Sequence, residues 1–231
     1  MLSLVYFLKK TREAFMILCV TIENAHLFDT NPLHGQFKLR YESIIDRQDW
    51  NVPHYHKMEY DTYDNPATKY LVWQDENGKA GGVSRLYPTD RPYMLQEVFS
   101  YLAPNKVLPS STTVLEGSRF CVDKNLPVDV RKRVCHELIL AYLEYGLDNG
   151  IEQYVGVMLP IYWRNLFIKL GWEVDFFGDA MKLENGQSVR AGGVIVSEEA
   201  LSAVRSATGI STPVLSYGKT NAPILLKTGT S

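Results

Sequence analysis

The stretch Val114-Leu115-Glu116-Gly117-Ser118-Arg119-Phe120-Cys121-Val122 decides how this chain is read. It is apolar at both ends, like a strand packed in a core, yet it holds a carboxylate and a guanidinium three residues apart with a glycine between them. A regular strand sends residues three apart to opposite faces. Glycine inside a strand marks a bulge or a close backbone approach, and one extra residue at Gly117–Ser118 would turn Glu116 and Arg119 into a single pocket. Charges in a covered strand are costly unless paired or functional, so chemistry is expected here.

The flanking sequence fixes the place of this strand. Pro127 opens a long helical pattern from Val128 to Asn149, with Asp129 in its first turn and Gly150 at its end. Gln153–Leu159 then reads as a strand, and the strand–helix–strand crossover makes it a parallel neighbour of 114–122. Upstream, Lys69–Asp75 and Ala80–Tyr87 flank the turn Glu76-Asn77-Gly78-Lys79 and read as a hairpin. Met16–Glu23 reads as a first strand, Leu33–Arg47 as a helix on the spacing of Phe37, Tyr41, Ile44 and Ile45, residues 46–61 as a polar loop, and Tyr93–Tyr101 as a short helix. Downstream, Pro160–Leu170 reads as a helix stopped by Gly171. Glu173–Phe177, Met181–Leu183 and Gly192–Val196 read as strands, and Ser197-Glu198-Glu199 starts a helix over Ala200–Thr208. The expected fold class is α/β: one domain over residues 1–231, with a mixed central sheet and helices on both faces. Residues 1–15 are expected to be an extension ahead of Met16, and 215–231 a mobile tail.

Composition narrows the function. With 231 residues and 45% hydrophobic content the chain can build a core and is not disordered. A net charge of −2 gives no global pull toward nucleic acid or anionic membrane. No apolar run reaches the ~18 residues that span a bilayer. The opening MLSLVYFLKKTREAF places its charges after the first apolar piece, unlike a secretory leader, so a cytoplasmic protein is expected. Cys19, Cys121 and Cys135 are odd in number and widely spaced, which reads as core rather than disulfides. His54, His56 and Cys135-His136 start no metal-ligand spacing, so no metal is expected.

Other charges sit in apolar or aromatic surroundings. Arg40 lies in the first helix, Arg85 in the hairpin, and Asp61 and Asp64 follow Trp50 in Met58-Glu59-Tyr60-Asp61-Thr62-Tyr63-Asp64. Arg40, Arg85 and Arg119 against Asp61, Asp64 and Glu116 sum to zero. A cleft lined this way holds a zwitterion or a cation without a large net desolvation penalty; taken singly, each charge also reads as a fold-stabilising ion pair.

In order and spacing these residues resemble the acyl-homoserine lactone synthases, the LuxI-type autoinducer synthases of bacterial quorum sensing. The resemblance runs from Arg40 through Trp50, Asp61 and Asp64, Ser84-Arg85-Leu86-Tyr87-Pro88-Thr89, Pro92-Tyr93-Met94-Leu95 with Phe99, and Glu116-Gly117-Ser118-Arg119-Phe120 to Gly171-Trp172. Two positions depart from the pattern. Ile44 stands where the family often has Phe, and Val155-Gly156-Val157-Met158-Leu159 lacks a threonine associated with 3-oxo acyl chains, which implies an unsubstituted chain.

The resemblance implies a GNAT-like acyltransferase. It would move an acyl group from acyl carrier protein to the amine of S-adenosylmethionine, close the lactone and release 5′-methylthioadenosine. S-adenosylmethionine is then a substrate, and no cofactor is expected. Glu116 is the first candidate for the base, with Asp61 and Asp64 behind it. Arg40 and Arg119 suit carboxylates, Ile44 forms a wall of the substrate site, and Trp50 lies against the sulfonium or the adenine. Arg85 braces Asp61 or Asp64, or touches substrate. Phe99, Val157, Met158, Trp163 and Leu166 are an acyl slot or ordinary core. Arg131-Lys132-Arg133 is a solvated face or a dock for an acidic carrier protein. Two alternatives stand beside this reading. One is a GNAT-type transferase using acyl-CoA, although residues 123–130 ahead of the long helix contain no glycine for a phosphate loop. The other is a non-catalytic binding module on the same fold.

Overall fold

A computed structural model of the chain describes residues 16–218. In chain order the elements are β1 (Ile17–Val20), α1 (Pro32–Arg40), β2 (His54–Tyr55), β3 (Met58–Glu59), β4 (Lys69–Gln74), β5 (Ala80–Pro88), α2 (Met94–Glu97), β6 (Val114–Val122), α3 (Val128–Asp148), β7 (Gln153–Met158), α4 (Pro160–Tyr162), β8 (Asp175–Phe176), β9 (Met181–Lys182), β10 (Ser188–Ile195), α5 (Glu198–Thr208) and β11 (Leu215–Ser216). The nine-stranded sheet runs β11-β1-β4-β5-β6-β7-β10-β8, with β9 on β10. The β6–β7 pair is parallel, as a crossover through α3 requires. The pair β1–β11 is parallel as well.

Alternation along the strands sets up the layers. On β4, Leu71 and Trp73 join the core under α3, while Tyr70 and Val72 join the core on the opposite face with Leu39 and Ile44. α3 is buried almost continuously from Glu137 to Gly146 because the sheet lies beneath it and α5 packs beside it. α5 starts as its sequence predicts: Ser197 accepts from the Ala200 N–H at 3.1 Å, and Gly209 ends the helix in the left-handed region. The mixed sheet with helices on both faces is therefore as expected.

Four local expectations are corrected. The polar segment 46–61 is not all loop: it holds the small hairpin β2–β3, turning at His56 and Lys57, both with positive φ. The helix over 33–47 ends as α-helix at Arg40 and widens into a π turn, Tyr41–Ile45, which keeps Ser43 and Ile44 buried. The helix over 160–170 breaks into α4, a π turn (Trp163–Phe167) and a 3-10 turn (Ile168–Leu170). The tail is tied down at its start. Glu144 on α3 accepts the N–H groups of Val214 and Leu215, both at 2.9 Å, and this docks β11 on the edge of β1. Residues 1–15 and 219–231, the expected extension and the rest of the tail, lie outside the described residues.

One irregularity positions the site. The β6–β7 ladder runs from Val114 opposite Gln153 to Gly117 opposite Gly156 and stops there, although β6 continues to Val122 and β7 to Met158. The last rung is tight: a Cβ on Gly156 would stand 2.6 Å from the Gly117 carbonyl oxygen. Because that neighbour is backbone, Gly156→Ala is expected to lower stability by about 1–3 kcal/mol. Thermal unfolding checks this, and an unchanged midpoint would show that the rung is not under constraint.

Candidate active site

The carboxylates and guanidiniums spread along the chain converge into one buried network. Arg40, the last residue of α1, is fully buried; its two terminal nitrogens donate to both Asp64 oxygens at 2.7 and 2.8 Å, and its Nε donates to Glu59 at 2.5 Å. Arg85 on β5, also fully buried, pairs with Asp61 at 2.5 Å and Asp64 at 3.2 Å. Arg119 on β6 donates to Glu59 at 3.0 Å and to Asp61 at 2.7 Å. The loop after β3 shapes the acids: the Asp61 N–H donates to Asp64, the Tyr63 N–H donates to Asp61, and Tyr70 of β4 donates its hydroxyl proton to Asp64. Burial pushes the Asp64 carboxyl up, but the Arg40 hydrogen bonds and the charges of Arg40 and Arg85 outweigh it and hold the group well below the usual carboxylate range. Three guanidiniums thus face three carboxylates, and the network is neutral.

Arg119 enters this network through a bulge. Val83 pairs with Cys121 and Arg85 with Ser118, so Arg119 and Phe120 together oppose the single residue Ser84. Arg119 takes a φ of 55°. The expected bulge exists, but it is centred on Arg119–Phe120 rather than Gly117–Ser118. Gly117 serves a different need, since a Cβ there would meet the Tyr142 hydroxyl at 2.6 Å.

A cavity of about 360 Å³ opens where β6 and β7 part. Residues from all three apolar clusters of the core reach its wall. Of the network, only Asp61 and Arg119 line it. Ile44, Trp50, Phe99, Val157, Met158 and Leu166 line it as well, and the Trp50 Nε1–H is fixed by Gln187 at 3.1 Å. Asp64 lies one layer behind Asp61, and Arg85 braces both acids. Arg40 corrects the expectation of a substrate-gripping arginine: it lies behind the wall, fully engaged with Asp64 and Glu59. Trp163 corrects another. It is core, with its Nε1–H donated to the Arg190 carbonyl at 2.9 Å, and it is absent from the cavity wall.

Glu116 also departs from expectation. It is fully buried and does not line the cavity. Its oxygens accept the N–H groups of Leu95 (2.6 Å) and Met94 (3.2 Å). Arg119 approaches the same residue, with one terminal nitrogen 3.4 Å from the Met94 sulfur. Glu116 and Arg119 therefore meet at Met94 rather than in one open pocket. Glu59, which completes the network, was legible only as the alternate partner of Asp61 across Tyr60.

A second hollow, about 270 Å³, adjoins the first through Arg47, Phe120, Tyr162 and Leu166. Arg131 and Lys132 line it with Arg47, and no carboxylate does. Arg133 is placed differently, in an i,i+4 bridge of 2.7 Å to Glu137. Among the described residues no group of three or more His, Cys, Asp and Glu is arranged to hold a metal ion. No helix among them is long and apolar enough to cross a membrane.

Burial raises the Glu116 carboxyl from its ordinary 4.5 to about 7, against the opposing pull of the Leu95 and Met94 N–H groups and the Arg85 and Arg119 charges. The folded state then binds more protons than the unfolded state between these values, so this group makes stability fall as pH rises from 4.5 through about 7. His136, lowered by burial, has the opposite sign, and Glu137, raised by burial, has the same sign. The difference between the native chain and Glu116→Gln isolates the contribution of this carboxyl. The melting temperature of the variant relative to native is expected to rise between about pH 5 and pH 8; a difference independent of pH would place the Glu116 titration elsewhere.

Known proteins resemble this chain in sequence and in architecture. A family model described as autoinducer synthase matches residues 24–204. The isovaleryl-homoserine lactone synthase of Bradyrhizobium diazoefficiens is 32% identical over 178 residues, covering 76% of this chain and 78% of that one. The acyl-homoserine-lactone synthase of Pseudomonas aeruginosa is 30% identical over 169 residues, covering 72% and 84%. Among solved structures, the CoA-dependent acyl-homoserine lactone synthase BjaI, described with MTA, superposes with a TM-score of 0.78 at 27% identity, covering 90% of this chain and 95% of that one. MesI, also described as CoA-dependent, gives 0.72 at 30%, covering 87% and 100%. A match of this extent, in sequence and in architecture, sets aside the non-catalytic reading and makes the chain a member of the autoinducer synthase family: a GNAT-like acyltransferase, an acyl-homoserine-lactone synthase.

Proposed function

We propose that the cavity binds S-adenosylmethionine and an acyl thioester, joins them through the amine, and then closes the lactone with release of 5′-methylthioadenosine. The observation that carries this reading is the pairing of Asp61 and Arg119 at the cavity wall, an acid and a guanidinium 2.7 Å apart with the rest of their network buried behind them. Asp61 suits the ammonium of the amino acid, and Arg119 suits its carboxylate. Trp50 offers a ring face for the sulfonium or the adenine.

In the first step the amine nitrogen attacks the thioester carbonyl carbon. Its proton passes to a carboxylate, directly or through water, and the thiolate leaves. Glu116 has the proton affinity of a base, but its oxygens are held by backbone N–H groups and it does not line the cavity; we assign the proton to Asp61. Backbone N–H groups of β6 beyond Gly117, where the β7 ladder has ended, suit the oxyanion. In the second step the carboxylate oxygen attacks its own γ-carbon, and the carbon–sulfur bond breaks. Being intramolecular, this step gains most from a bent, fixed chain.

The donor enters along the parted strands, where free backbone groups suit the amide-rich pantetheine arm shared by acyl carrier protein and coenzyme A. The basic hollow at Arg47, Arg131 and Lys132 suits either an acidic carrier protein or the phosphates of coenzyme A. Carrier protein is the donor that the family resemblance implies. A specific observation favours acyl-CoA: BjaI and MesI, with TM-scores of 0.78 and 0.72, are both described as CoA-dependent.

Two measurements test the reading. Asp61→Asn is expected to lower kcat/KM about 10²- to 10⁴-fold in thioester-dependent release of methylthioadenosine, with the thermal midpoint recorded to separate chemistry from folding. A rate within a few-fold of native removes Asp61 from the chemistry. Charge reversal at Arg131 and Lys132 is expected to raise KM roughly tenfold or more for the true donor and to leave the KM for S-adenosylmethionine unchanged. Running acyl-CoA and acyl carrier protein in parallel identifies the donor, and an unchanged KM for both excludes the basic hollow as its entry.

A further inference from the structure

On the side of the cavity that faces the long helix, one tyrosine hydroxyl stands among apolar side chains beside the strand β6. Tyr142 of α3 lines the wall beside Gly117 and Ser118 and is 4% exposed. Its hydroxyl packs over Gly117. None of the chemistry assigned above uses this group. Phe120, Met158 and Leu166, which line the same cavity and pack in the same apolar cluster as Tyr142, have no polar side-chain atom other than the Met158 thioether.

The hydrogen bonds around this hydroxyl favour one direction for its proton. Ser84 Oγ donates to the Ser118 carbonyl oxygen at 3.1 Å and lies 2.5 Å from the Tyr142 hydroxyl. A serine hydroxyl has one proton. With that proton on the carbonyl oxygen, Ser84 can only accept from Tyr142, so the tyrosine proton points at Ser84. No further partner of the Tyr142 hydroxyl is found among the described residues. In that arrangement the oxygen keeps a lone pair and no proton for a group that reaches it from the cavity.

We propose that Tyr142, oriented by Ser84, reads the third carbon of the acyl chain, and that the preferred donor is a 3-hydroxyacyl thioester whose hydroxyl donates to the Tyr142 oxygen. The proposal rests on the acyl-thioester reading of the cavity. If the thioester carbonyl sits at the free backbone of β6 just past Gly117, the third carbon is two bonds further along, beside the hydroxyl that covers Gly117. An unsubstituted chain leaves the tyrosine lone pair without a partner once water is excluded. A 3-oxo chain is worse, because it sets one acceptor against another unless Ser84 releases the Ser118 carbonyl and both protons reverse.

The test compares kcat/KM for 3-hydroxyhexanoyl, 3-oxohexanoyl and hexanoyl thioesters in the native chain, Tyr142→Phe and Ser84→Ala. The native chain is expected to favour the hydroxy donor over the oxo donor by about tenfold. Tyr142→Phe is expected to erase most of that ratio. Ser84→Ala frees the tyrosine proton to turn into the cavity, so it should move preference toward the oxo donor. A native chain that favours the oxo donor, or a ratio that Tyr142→Phe leaves unchanged, overturns the proposal. Failure of the native chain to release methylthioadenosine with any thioester overturns the acyl-thioester reading, whereas turnover with flat ratios overturns only the role of Tyr142. If Tyr142→Phe does not fold, calorimetric binding of the 3-hydroxy and 3-oxo lactone products to the native chain and Ser84→Ala decides between the same outcomes.

Discussion

Three guanidiniums held out of water against three carboxylates are the constraint on which this structure depends. A buried charge is tolerable only when paired, and removal of one partner from such a pair costs about 3–5 kcal/mol. Arg40, Glu59, Arg119, Asp61, Arg85 and Asp64 are joined so that each charge has at least one opposite neighbour. They come from α1, β3, the loop after it, β5 and β6, so the network joins five separate stretches of the chain. It also leaves one carboxylate and one guanidinium at the surface of a cavity. The same arrangement closes the fold and presents a pair of charges to a substrate of matching polarity.

The second constraint is the end of the β6–β7 ladder. Gly156 lets the strands approach at the last rung, and beyond it they separate and leave room between them. The sheet is thereby interrupted where its charges are. The ion pair and the apolar walls meet in one place because a gap in the sheet lets them.

Much of this was legible in the residues. The hairpin β4–β5, strand β6, helix α3 and strand β7 followed from turn chemistry, caps and runs of apolar residues, and these elements form the centre of the sheet. The convergence of Arg40, Asp61, Asp64, Arg85 and Arg119 followed from charges in surroundings that do not favour charge. What escaped depended on tertiary contact. Glu59 lies in a polar segment, and only the β2–β3 hairpin turns it inward. Arg40 looked like a substrate ligand because nothing local revealed two acids closing on it. The bulge was expected at the glycine, whereas the backbone turned at Arg119, where ion pairs compensate for an unfavourable φ. The helical pattern at 160–170 was correct in face but not in hydrogen bonding, since periodicity does not separate α from π turns.

That φ at Arg119 has a further consequence. A side chain with a Cβ in the left-handed region carries a penalty of roughly 1–2 kcal/mol that glycine would not. Here the bonds to Glu59 and Asp61 hold the residue in place. Glycine at this position would relax the main chain and at the same time take the guanidinium from the cavity. Glu59 and Asp61 would each lose an ion pair, a loss that outweighs the relief, so durability and signal production both keep arginine at a position whose main chain is shaped for glycine.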